Sequence, residues 1–93
     1  MTSLINTMKH INYDKVLVEW VDIDGCEDAW NTEDELKQLL PATCTTIGYL
    51  YEDNPHFVKT FATFSHNNDG TIHFGDCVVF PKGCVVSIKK MEN

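Results

Sequence analysis

From Lys15 onward the chain alternates, with Val16, Val18 and Trp20 on one side and Lys15, Leu17, Glu19 and Val21 on the other. Successive side chains of a strand point to opposite faces, so this period of two predicts a strand over 15–22 with one well-buried face. The next periodic stretch is of a different kind. Thr32-Glu33-Asp34-Glu35 has the spacing of a capping box, in which the Thr32 hydroxyl accepts from the Glu35 amide and the Glu35 side chain reaches back. A short helix over 33–40 follows, stopped by Pro41.

After Pro41 the helical period disappears. Thr43 to Tyr51 is rich in Thr, Ile and Tyr and predicts a strand over 43–52, with Gly48 marking a bulge or a close backbone approach. Glu52-Asp53-Asn54-Pro55 turns the chain into a third strand, 57–66. Asn67-Asn68-Asp69-Gly70 is a hairpin signal leading to a fourth, 71–80, and Pro81-Lys82-Gly83 a tight turn into a fifth, 84–89. Five short strands with close turns point to a mainly β, antiparallel, strongly bent barrel, since closure removes the edges of so short a sheet. One end of that barrel is expected to be covered by the helix and by Trp30. Residues 1–13, with Leu4, Ile5, Met8 and Ile11 at loosely helical spacing, stand apart as an N-terminal arm or short helix before one domain, 14–93.

Size and charge narrow the function classes. A chain of 93 residues forms one domain and buries only roughly 60–65% of its unfolded surface, so its core is thin. With 43% apolar and 11% aromatic residues it has enough apolar side chain to fold. A net charge of −7 opposes binding to a phosphate backbone, which needs clustered basic residues to release counterions. No apolar run reaches the length of a membrane span, and the N-terminus lacks the pattern of a signal peptide. Cys26, Cys44, Cys77 and Cys84 include no C-x-x-C pair, and the four histidines lack ligand spacing. These features predict free thiols, no metal or cofactor, and a cytoplasmic protein, with Cys44, Cys77 and Cys84 as small buried hydrophobes.

Asp22-Ile23-Asp24-Gly25 looks at first like the nucleophile loop of an Asp-x-Asp phosphatase. Such a loop follows a central parallel strand that is apolar on both faces, which Glu19 breaks, and it needs helical crossovers that the second half of this chain cannot supply. The same loop fails as an EF-hand, because Gly25 is fourth rather than sixth from Asp22 and no helix precedes it. No G-x-S-x-G, P-loop or H-E-x-x-H is present. Our expectation is therefore a binding protein rather than an enzyme. Most of the aromatic residues belong to the core. The remaining chemistry is a flat ligand stacked on Trp20, Trp30 or Tyr49, with Asp22 and the hydroxyls of Thr45 and Thr46 as hydrogen-bonding partners.

Trp20-Val21-Asp22, Trp30 eight residues after Asp22, Thr46-Ile47-Gly48-Tyr49, and Phe80-Pro81-Lys82 leading to Val86 and Ile88 together resemble a family of small, largely uncharacterised proteins of tailed phages and prophages. The resemblance covers about residues 15–90. Two positions depart from the family's usual pattern: Ile23 stands where a Ser follows the Asp, and Ala29 where a Gly precedes the second Trp. The resemblance implies an SH3-like or Sm-like barrel. With that setting, we expect a non-enzymatic phage accessory protein in the host cell cytoplasm that sequesters a nucleotide-like signalling ligand or blocks a host defence protein. An Sm-like regulator that binds single-stranded nucleic acid is the alternative, disfavoured by the charge. An imperfectly closed barrel leaves an open edge, so we further expect a homo-oligomer with any ligand pocket at the subunit interface near Trp30 or Tyr49.

Overall fold

The computed structural model describes residues 11–92. The expected N-terminal arm or helix falls largely on residues 1–10 and so lies outside the described residues. The rest is mainly β, with strands β1 (Lys15–Asp22), β2 (Ala42–Asp53), β3 (Phe57–Phe61), β4 (Thr63–His66), β5 (Ile72–Gly75), β6 (Val78–Pro81) and β7 (Val85–Lys90). A single helix, α1 (Glu33–Gln38), and a 3-10 turn at Lys82–Cys84 complete the described elements. The main sheet is antiparallel with the order β6-β3-β2-β1-β7, and β4 and β5 form a separate two-stranded ribbon.

β1 is the spine of the sheet. It pairs with β2 along its whole length, from Lys15 opposite Tyr49 to Asp22 opposite Ala42, and its other side pairs with β7. Its alternation places Val16 and Val18 inside, with Val18 fully buried, against Val58 and Phe80; Trp20, Leu50, Val85 and Ile88 pack around them. The opposite face is mixed, with Leu17 and Val21 beside Glu19, which takes hydrogen bonds from Ser87 (3.2 Å) and Lys89 (3.1 Å). These donors hold its carboxyl below the usual carboxylate range, the Lys89 hydrogen bond contributing most.

Gly48 marks a close approach, as expected. A Cβ there would stand 2.9 Å from the Phe61 carbonyl oxygen, which is closer than real Cβ atoms come. The bulge lies further along the same strand, where the β2–β3 register shifts between Leu50 and Glu52. At the β2–β3 turn the Asn54 side-chain oxygen accepts from the amides of His56 (2.8 Å) and Phe57 (2.9 Å).

The expected third and fourth strands are each broken in two. β3–β6 and β4–β5 keep one continuous register, but between them Asp76 adopts a φ of 53° and receives a 2.6 Å hydrogen bond from the Thr63 hydroxyl. Asp tolerates this left-handed conformation better than most residues, and it kinks the hairpin so that its distal half leaves the sheet. Gly70, at φ 89°, closes the far turn. Phe61 sits at the kink, 2% exposed, with the rings of Phe74, Tyr13, Tyr49 and Phe64 at 4.8, 5.2, 5.4 and 6.4 Å. Here the aromatic side chains form a second packing centre.

Two expectations need correction. The sheet bends far enough to set the Trp20 ring on β1 5.5 Å from the Phe80 ring on β6, yet the edge strands β6 and β7 form no ladder with each other. They are consecutive in the chain and joined by the 3-10 turn rather than by a hairpin ladder. The sheet is therefore bent but not closed as a barrel. The second correction concerns α1, which covers no end of the sheet: none of its residues is buried, and Trp30 is 93% exposed.

Candidate functional site: an open apolar groove and an exposed acidic arm

Every residue from 22 to 38 is exposed, so the segment joining β1 to β2 stands off the sheet as an arm. Its order is local. Asp22 and Asp24 each accept a hydrogen bond from the amide of the following residue, at 2.8 and 2.9 Å. The capping box forms as read: the Glu35 amide donates to the Thr32 hydroxyl (3.2 Å) and the Thr32 amide to the Glu35 carboxylate (3.1 Å). The Thr32 backbone and side-chain hydrogen bonds hold the Glu35 carboxyl below its ordinary range. Lys37 reaches Glu33 one turn back at 3.7 Å.

Charge is concentrated on this arm. Asp22, Asp24, Glu27, Asp28, Glu33, Asp34 and Glu35 face only Lys37 within residues 22–41, so the arm holds six of the chain's seven net negative charges. Set among them are apolar side chains with no cover: Ile23, Trp30, Leu36 and Leu40.

At the foot of the arm an open groove of about 680 Å³ runs between its two roots and β6. Trp20, Phe80, Val78, Val79, Leu39 and Leu40 give it an apolar lining, and among the described residues Asp22 and Asp24 are the only charged ones that line it. Val79 is 55% exposed, so the groove wall continues onto the free side of an edge strand.

The residues expected to share one ligand site divide among different places. Trp20 and Asp22 line the groove. Trp20 Nε1 donates to the Thr46 hydroxyl at 2.9 Å, a bond that orients the indole against Phe80 and occupies the Thr46 oxygen. Thr45 pairs opposite Glu19, on the exposed face, because neighbouring strand residues point to opposite sides. Tyr49 packs on Phe61 and Phe64 in the second aromatic centre. Trp30 stands in solvent on the arm. Sequence reasoning missed Val78, Val79, Leu39 and Leu40. The signal for the two valines was their position on a strand of four residues that ends in Pro81, a residue found in sheets at edges.

The expected buried setting of Cys44, Cys77 and Cys84 needs correction: Cys77 is exposed, like Cys26, and Cys44 and Cys84 are only partly buried. Cys77 follows the kink at Asp76, which takes it out of the buried strand interior assumed for it. Among the described residues no three His, Cys, Asp or Glu side chains gather as a metal-holding group, and no helix is long and apolar enough to cross a membrane. No protein-family model, curated protein or solved structure matches this chain.

Proposed function

We propose that this protein is a non-enzymatic binding protein that blocks another protein by seating it on the groove and the arm. The observation that carries this reading is the continuous apolar surface from Val78 and Val79 on β6 through Leu39 and Leu40, with Trp30 and Leu36 beyond it on the arm. Contiguous exposed apolar side chains rimmed by charge mark interaction surfaces, and an exposed Trp is the side chain most often found at the energetic centre of one. The strand order β6-β3-β2-β1-β7, with a short helical turn between the edge strands, is read as an opened SH3-like or Sm-like barrel. The resemblance to small phage proteins then supplies the setting: an accessory protein that blocks a host defence protein in the cytoplasm.

Sequestration of a small ligand is the second reading, favoured by the groove volume, which is in the range of small-molecule sites. A nucleotide-like ligand suits it less well. Phosphate needs a cation or converging amide donors, whereas Asp22 and Asp24 are the charges that line the groove.

Native mass spectrometry of tagged protein purified from phage-infected bacteria separates the two. A stoichiometric host protein that is retained by wild type and lost in Val79→Asp supports blocking of a protein. A bound small molecule without a protein partner overturns it.

A further inference from the structure

We infer that the arm docks into a basic, apolar-pocketed surface of the partner protein, with Trp30 as the side chain that enters the pocket. This deepens the proposed function and rests on it, naming the chemistry of the partner rather than its identity.

α1 has six residues, far below the roughly 12–15 that an isolated helix needs in water. Its cap and the Lys37–Glu33 pair are local supports, and no side chain of α1 is buried against the sheet. Short helices in proteins draw their stability from packed apolar side chains, and the exposed Leu36 on α1 and Trp30 just before it are the side chains that a partner would cover.

Charge selects the occupant. A second copy of this chain would bring a body that carries one net negative charge toward an arm that carries six. Its lysines are already engaged: of the six among the described residues, five pair with carboxylates of the same chain, as Lys37–Glu33, Lys59–Glu52, Lys82–Asp53, Lys89–Glu19 and Lys90–Asp14. No arginine is present in the sequence. A copy therefore offers little positive charge to a segment that carries seven carboxylates and an exposed indole. A protein surface with clustered Lys and Arg offers what is missing: cations for the carboxylates, and an apolar hollow for the ring. Cations that pair with the carboxylates also remove the like-charge repulsion along the arm, so docking and ordering of α1 occur together.

The test uses the full chain and a defined probe, a short helical peptide of leucine and lysine, with the same peptide carrying glutamate for lysine as control. Binding is followed by calorimetry, and exposure of Trp30 by acrylamide quenching. The lysine peptide should bind and shield Trp30, and binding should weaken as salt rises. Trp30→Ala should weaken binding about thirtyfold, as loss of an interface anchor does. Trp30→Phe should recover most of the loss, and the glutamate peptide should not bind.

Lack of binding overturns the inference, as does binding that Trp30→Ala leaves unchanged, because the attraction is then charge alone. A dimer in which Trp30 is already shielded without peptide also overturns it and makes a second copy the occupant. All three failures leave the proposed function standing if a stoichiometric host protein is still captured and still lost in Val79→Asp. Loss of that capture sinks the proposed function instead.

Discussion

In the sheet, Val18 and Val58 are shut off from solvent and the strands pair residue by residue, whereas across residues 22–38 not one side chain is even partly buried. Both regions have well-satisfied local chemistry. The Asn54 turn and the Thr32 cap each satisfy backbone donors with nearby side chains, and by that measure the arm is as well made as the hairpins. What separates them is long-range packing. The sheet assembles its own apolar face, and the arm leaves Trp30 and Leu36 exposed. Local order and tertiary cover are thus independent properties here.

The comparison breaks most sharply at Phe61. Four aromatic rings pack on it where the hairpin kinks, so Phe61→Ala removes the centre of the second core and should cost about 3–5 kcal/mol, enough to unfold a domain this small or to lower its Tm steeply in thermal denaturation. Gly48→Ala tests the close approach of β2 to β3. Backbone rather than a yielding side chain meets the new Cβ, so the strands must separate, at about 1–3 kcal/mol read from denaturant midpoints.

Smaller effects belong to the arm. Thr32→Ala removes the cap and should cost the helix about 1 kcal/mol, but because no residue of α1 is buried the Tm of the sheet should stay where it was while helical ellipticity falls. A matching drop in Tm would show that the arm is coupled to the sheet. Acid should act in the same direction. The Glu35 carboxyl lies below its ordinary value when capped, so the cap's contribution is complete above the unfolded carboxylate range and is lost as pH falls through the lowered folded value. Helical ellipticity should fall in that acid window in wild type, and the pH dependence should be weaker in Glu35→Gln.

Sequence patterns conveyed the sheet well where period two coincides with one buried face, as at Val16, Val18 and Trp20, and conveyed the helix start because a capping box needs only four residues. They did not convey the break of the long hairpin, although Gly75-Asp76 lay inside the expected strand as turn chemistry. Closure was also out of reach, because it depends on how two edges meet in space. The expected site was gathered by residue type, and one of its weaknesses was visible beforehand: Thr45 and Thr46 are neighbours on one strand and point to opposite faces. Whether Trp30 covers the sheet or faces solvent depends on long-range packing, about which its neighbours in the chain say nothing.

The most direct test of the division between scaffold and arm is hydrogen exchange of the full chain, alone and with the captured partner protein. The amides of residues 23–41 should exchange fast in the free protein and become protected in the complex, with β1 and β2 unchanged. Protection of 23–41 equal to that of the sheet in the free protein, or protection in the complex that spares 23–41, would contradict it.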